Sequence, residues 1–153
     1  MLLQRLNKND LPQIIAFNRR CFSPGDRWSE ADWTELLEDE RAHYYALLEN
    51  GQIVGNIFLY DWQGERDFLK IMNLGVAPDR RGQGLACRLL QKAAEELKAS
   101  TLTRCCGETR ESNLTMRRVF ERCGYRLNKM EESYYENPTE SACKYVLRRE
   151  ELE

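Results

Sequence analysis

The stretch Arg81-Gly82-Gln83-Gly84-Leu85-Ala86 holds the residue types and spacing best suited to binding chemistry. A run of strand character, Phe68 to Val76, precedes it, and a strongly periodic helix, Leu85 to about Ala99, follows. A glycine-punctuated turn at that junction leaves backbone N–H groups unpaired at the positive end of a helix, which suits a phosphate. No lysine follows Gly84, so the stretch is not a Walker-type loop. A dinucleotide fold also fits poorly, because its glycine turn follows an early strand of a mostly parallel sheet. Taken alone, the pattern is equally that of a strand-to-helix turn that happens to be rich in glycine. Metal chemistry has less support: the six cysteines show no ligand spacing and His43 is the one histidine.

The elements around this turn follow from periodicity and capping. Leu2, Leu3 and Leu6 suggest a short first strand. Asp10 and Pro12 read as the start of a helix with Leu11, Ile14, Ile15, Asn18 and Phe22 on one face. Ser23-Pro24-Gly25-Asp26 ends it, and Ser29 with Asp32 forms a capping box for a second helix, Glu30 to about Glu38. His43 to Leu48 and Ile53 to Tyr60 flank Asn50-Gly51, which favours a two-residue hairpin turn. Gln63-Gly64-Glu65 turns the chain into the long strand that ends at Val76. The helix after the glycines carries Leu85, Leu89, Leu90, Ala93, Ala94 and Leu97 on one stripe. Leu102 to Glu108 is strand-like, and the strand–helix–strand order makes these two strands parallel. Ser112 or Asn113 caps a helix with Met116, Val119, Phe120 and Cys123 inward, and Gly124 stops it. Tyr125 to Tyr134 and Ala142 to Leu147, joined at Asn137-Pro138, complete a mixed sheet.

Residues 1–153 are expected to form a single domain. Charged residues at 31% and hydrophobics at 42% describe a soluble globular chain. A net charge of -2 gives no overall pull toward nucleic acid or an acidic membrane, and no apolar run is long enough to span one. Arg5, Lys8 and Asp10 near the start are unlike a signal peptide. The cysteines read as reduced thiols buried as small hydrophobes, which implies the cytoplasm. Adjacent Cys105 and Cys106 would point to opposite faces of a strand. His43 reads as an exposed strand end, and Trp28, Trp33 and Trp62 either line a groove or pack within the fold.

Two motifs at the right separation sharpen the glycine turn. Leu74-Gly75-Val76-Ala77-Pro78-Asp79 followed by Arg80 to Ala86 resembles the strand and pyrophosphate loop of the GNAT superfamily of acetyl-CoA-dependent N-acetyltransferases. Asn113 through Phe120, Glu121 and Gly124-Tyr125 resembles the helix that follows in that family. Glu108-Thr109-Arg110-Glu111-Ser112-Asn113, with Tyr134-Tyr135, Pro138 and Glu140-Ser141-Ala142 downstream, is similar to the branch that modifies the N-terminus of ribosomal protein S18. Small-molecule N-acetyltransferases share part of this pattern. The resemblance covers nearly the whole chain. It implies an α/β (α+β) fold: a mixed, mostly antiparallel sheet of about seven strands with a parallel, splayed central pair, flanked by about four helices.

The resemblance also implies a site, with acetyl-CoA as co-substrate and no metal. Backbone N–H groups of Gly82, Gln83, Gly84, Leu85 and Ala86, with Arg81 beside them, would hold the pyrophosphate. Leu74 to Val76 would pair with pantetheine, an N–H near Val76 facing the thioester oxygen as an oxyanion donor. Asn113 and Phe120 fall in the helix that completes the cofactor site. Glu108 matches the family's strand-end carboxylate and would act as base, directly or through water. Without the resemblance it is equally a solvated charge or a partner of Arg110. Phe120 stands where the family carries the tyrosine that protonates the leaving thiolate. Either the thiolate leaves unaided or Tyr134 or Tyr135 serves, a pair the family uses to grip substrate backbone. Arg80, Arg117, Arg118 and Arg122 either meet the cofactor's phosphates or form a solvated face.

The expected acceptor is a protein or peptide N-terminal α-amine. With a reference pKa of about 7.7–8.0, roughly a tenth or more of it is neutral at pH 7, against under about 0.1% for lysine near 10.4. A weak carboxylate base therefore suits an N-terminus. A small amine or amino acid is the alternative acceptor; the Ser23 to Arg27 insert, longer than expected in the ribosomal branch, favours an acceptor different from that branch's. A non-catalytic acyl-CoA-binding regulator is the second alternative, favoured by Phe120.

Overall fold

Apolar alternation and 3.6-residue stripes resolve, in the computed structural model, into seven strands and four α-helices among the described residues, which are all but Gln63, Glu65 and Glu153. The order is β1 (Leu2–Leu6), α1 (Leu11–Cys21), α2 (Glu30–Glu38), β2 (Ala42–Glu49), β3 (Gln52–Asp61), β4 (Phe68–Val76), α3 (Leu85–Ala99), β5 (Arg104–Arg110), α4 (Leu114–Arg122), β6 (Arg126–Tyr135) and β7 (Glu140–Arg148). The strands form one sheet in the order β1-β2-β3-β4-β5-β7-β6. Only β4 and β5 run parallel; the other neighbours are antiparallel. The mixed sheet with one central parallel pair is the expected architecture.

Local chemistry sets most boundaries. Asn50 and Gly51 both take left-handed φ, 53° and 77°, as a two-residue hairpin turn of this type requires. Ser29 and Asp32 make both bonds of the capping box at the start of α2. Asn113 caps α4 by accepting the Met116 N–H at 3.1 Å, and Gly124 (φ 92°) ends that turn. The expected Gln63-Gly64-Glu65 turn lies outside the described residues except for Gly64, whose φ is 83°.

Four details differ from expectation. Asp10 precedes α1 without a side-chain capping bond; it completes a box with Asn7 around the short turn before the helix. Phe17 joins Ile14 and Asn18 on the buried face of α1. β5 begins at Arg104, not Leu102, and continues to Arg110 because β7 pairs with it that far. Leu102 still enters the core, its N–H held by the Ser100 hydroxyl at 3.1 Å. His43 is half-buried in β2, its Nδ1 without a hydrogen bond among the described residues, and burial lowers its pKa.

The sheet has a core on each face. Leu89, Leu90, Ala93 and Leu97 of α3 and Phe120 of α4 cover Leu59, Ile71, Cys105 and Tyr145. On the opposite face Ile14, Phe17 and Trp33 cover Tyr44 and Phe58. Trp33 is 1% exposed and stacks on Phe58 with centroids 5.4 Å apart. Trp33→Ala is expected to cost about 3–5 kcal/mol of stability, read as a lowered urea midpoint.

Two features of β4 open the sheet at its centre. β4 and β5 pair only from Phe68–Arg104 to Lys70–Cys106 and then part, one continuing with β3 and the other with β7. A bulge at Met72, where Leu59 opposes Ile71 but Phe58 opposes Asn73, shifts the alternation. Ile71 therefore packs toward α3 and α4, whereas Asn73 turns to the other face and bonds Asn56 at 2.9 Å. No helix among the described residues is long and apolar enough to cross a membrane.

Candidate active site

The wedge between β4 and β5 is the mouth of a cavity of about 1050 Å³, at the upper limit for a small-molecule site. One end is the glycine turn. Gly82 and Gly84 take φ of 80° and 77°, and a Cβ built on either would meet nothing within 4 Å. Gly84 directly precedes α3, so the first N–H groups of that helix face open space. Leu74, Val76, Arg81, Leu85, Ala86, Asn113 and Phe120 also line the cavity, whereas Gln83 does not.

Arg81 acts partly as a strut. Its guanidinium donates to the Val76 and Cys21 carbonyls at 3.1 and 3.4 Å. Arg80 pairs with Glu49, and Arg117 turns to the Tyr145 hydroxyl at 3.2 Å and the Glu111 carbonyl at 3.0 Å. Arg118 and Arg122 line the cavity from α4 without an ion pair among the described residues. Beyond Lys70, the β4 edge that faces β5 has no strand partner among the described residues, leaving backbone groups open along Leu74–Val76 apart from the Val76 carbonyl that Arg81 takes. An open anion cradle joined to an unpaired strand edge fits the pyrophosphate and amide-bearing arm of acetyl-CoA.

The other face of β5 carries the carboxylate. Glu108 is 15% exposed, and the Tyr134 hydroxyl donates to its Oε1 at 2.5 Å. Lys70 Nζ lies 3.1 Å and Lys144 Nζ 3.8 Å from Oε2, which is buried yet has no aligned hydrogen bond. Burial, followed by the bond to Glu108, pushes the Tyr134 phenol above its ordinary value, so it keeps its proton. Tyr135 stands edge-on to Tyr134 at 5.1 Å, and Lys144 lies over the Tyr134 ring at 4.6 Å. Arg110 is not the partner of Glu108; its bonds go elsewhere.

Phe120 is 1% exposed and stacks on Tyr145 at 5.0 Å. A Cβ on Gly107 would lie 2.7 Å from its ring, so Gly107 makes room for it. Tyr134 and Tyr135 are the tyrosines that line the cavity. Of the tryptophans, Trp28 lines the cavity and packs 4.6 Å from core Trp33, while Trp62 packs with Tyr60 and Phe68 elsewhere.

Sequence reasoning missed Lys70 and Lys144, although each is a lone cation in an otherwise apolar strand segment. It also treated the cysteines as uniformly buried. Cys105 and Cys143 are; Cys106 is half-exposed on the opposite face from Cys105. Cys87 and Cys123, also half-exposed, bring their sulfurs to 3.0 Å.

The Acetyltransferase (GNAT) family matches residues 11–125. The chain is 29% identical over 141 residues to a putative ribosomal protein bS18-alanine N-acetyltransferase of Bacillus subtilis (strain 168), covering 92% of this chain and 90% of that one. Its fold is similar to the ribosomal-protein-S18-alanine N-acetyltransferase of Escherichia coli, with TM-score 0.84, 24% identity and coverage of 99% and 98% of the two chains. A chimera of the Vibrio cholerae spermidine N-acetyltransferase aligns with TM-score 0.82 at 14% identity, over 98% of each chain. Matched from Leu11 to Tyr125, the chain belongs to the GNAT acetyltransferase family and is an acetyl-CoA-dependent N-acetyltransferase.

Proposed function

We propose that the protein acetylates the α-amine of a protein or peptide N-terminus, with Glu108 as base. What carries this reading is the Tyr134-Tyr135 pair beside Glu108, across β5 from the cofactor wedge. Such a pair can flank a peptide backbone where a compact amine needs no second grip. The likeness to the S18 acetyltransferases supports the same acceptor class, and bacterial relatives named for a ribosomal protein support a cytoplasmic location.

Bound acetyl-CoA supplies the activated acetyl group. Backbone N–H groups from Gly82 to Ala86 take its pyrophosphate, and Arg118 and Arg122 add positive charge. The free edge of β4 at Leu74–Val76 holds the pantetheine arm. The amine enters from the opposite face and donates an N–H to the Glu108 carboxylate, directly or through water, while Tyr134 and Lys70 hold that carboxylate in place. The amine proton then passes to that carboxylate, directly or through water, as the nitrogen attacks. Phe120 has no proton to give, so the sulfur departs as thiolate, a stable anion for a group of reference pKa about 8.5.

Lys70 and Lys144 also bear on acceptor choice. A polyamine would bring further ammonium groups beside two lysines whose carboxylate partners, Glu108 and Glu131, are already engaged, so the added charge finds no free counter-charge there among the described residues. An N-terminal α-amine brings one. Thiol release from acetyl-CoA is expected to be at least tenfold more efficient (about 1.4 kcal/mol) with a peptide beginning in alanine than with spermidine. A preference for spermidine would establish the small-amine alternative.

A further inference from the structure

We propose that Arg110 is a positioning residue for the acceptor, holding the two walls of the acceptor groove together above Glu108. The claim rests on the acceptor lying on the Glu108 face. All five N–H donors of this guanidinium are engaged. Nε and Nη2 take the Asp26 carboxylate at 3.2 and 2.8 Å. Nη2 also reaches the Glu136 carbonyl at 2.7 Å, and Nη1 reaches the Pro138 carbonyl at 2.7 Å and Glu140 Oε2 at 3.3 Å. The Tyr135 ring lies against the guanidinium, 4.7 Å from its centroid. The side chain is 14% exposed.

These partners belong to separate segments. Asp26 lies in the connection between α1 and α2, which also carries Trp28; Glu136 and Pro138 form the turn between β6 and β7, directly after Tyr134-Tyr135. The two segments touch, since a Cβ on Gly25 would stand 3.0 Å from the Asn137 side chain. The other oxygen of Glu140 accepts the Ser112 N–H, next to the Asn113 cap of α4. One cation thus sits between two carboxylates from separate segments. Without it, Asp26 and Glu140 are left as like charges in a partly buried site, and the two segments separate. The cofactor cradle hangs from β4 and α3, which Arg110 does not bond. Loss of Arg110 should therefore weaken the acceptor side only. Lysine cannot substitute, because a point ammonium with three donors cannot reproduce a planar five-donor fork.

The test uses the full chain, a peptide with N-terminal alanine as acceptor, and calorimetric titration of acetyl-CoA. Arg110→Lys is expected to raise the peptide KM about tenfold or more, while the Kd for acetyl-CoA stays within about twofold. Asp26→Asn, a milder change that leaves the arginine folded onto the turn, should move KM in the same direction by less. The double variant should be no worse than Arg110→Lys alone, since both remove one shared interaction. An unchanged peptide KM would overturn the proposal, as would an acetyl-CoA Kd that rises in step with it. If the wild type prefers spermidine to peptide, the acceptor reading fails separately, and the same comparison with spermidine still decides the role of Arg110.

Discussion

Glu108→Gln is expected to lower turnover on a peptide acceptor about 10²- to 10³-fold while acetyl-CoA binds within about twofold of the wild-type affinity. Glutamine keeps the shape, and its amide oxygen can still accept the Tyr134 hydroxyl that now bonds Oε1. It cannot take a proton from the amine. The neutral amide also leaves Lys70 without its carboxylate among the described residues, while Lys144 keeps Glu131 at 3.4 Å, so an incoming amine meets one uncompensated cation. Glu108 is on the acceptor face of β5, away from the glycine turn, which is why affinity for acetyl-CoA should hold. Initial rates of thiol release and a calorimetric Kd on the same preparations separate the two effects. Retained turnover in the glutamine variant would move the base elsewhere.

Gly84→Val is expected to weaken acetyl-CoA binding about 100-fold or more, roughly 2.7 kcal/mol, with a smaller loss of thermal stability. Two effects combine. Gly84 has a φ of 77°, a region that costs a branched L-residue roughly 1–3 kcal/mol. The space beside it is empty of protein atoms within 4 Å, so the new side chain clashes with nothing in the fold. It does occupy the approach to the first N–H groups of α3. The loss should therefore appear in cofactor affinity rather than in core packing, as equilibrium titration alongside thermal melting would reveal. Gly107 offers the opposite case: there a Cβ would strike Phe120 at 2.7 Å, and the fold itself would suffer.

Elements with a strong local signal were legible in the sequence. The Leu85–Ala99 helix, the Phe68–Val76 strand, the Asn50-Gly51 turn and the Ser29 capping box each rest on residues adjacent in the chain. The cradle was legible for the same reason, because its glycines, strand and helix are contiguous. On the acceptor side, Glu108, Tyr134 and Tyr135 were named only through the resemblance, and their surroundings were not legible. Glu108 sits with Lys70, Lys144 and Tyr134 only because β5 lies between β4 and β7, and no local pattern announces that neighbourhood. The Met72 bulge was equally hidden, since it changes which face Asn73 uses without changing its sequence context. His43 and the start of β5 went astray because burial and cross-strand pairing, not propensity, set them. Arg110 looked like a partner for Glu108 by proximity in sequence and shares its face of β5, yet the α1–α2 connection and the return of the β6–β7 turn gave it Asp26 and Glu140.

Where the acetyl group lands is the most direct test of acceptor class. A peptide beginning with alanine and carrying one internal lysine, incubated with enzyme and acetyl-CoA, should gain a single acetyl group, and fragmentation mass spectrometry should place it on the α-amine. The lysine should stay unmodified, because its amine is under about 0.1% neutral at pH 7 and would come as a cation to a site that already holds Lys70 and Lys144. Acetylation of the lysine with a free N-terminus, or an unmodified peptide under conditions where spermidine is acetylated, would contradict the account.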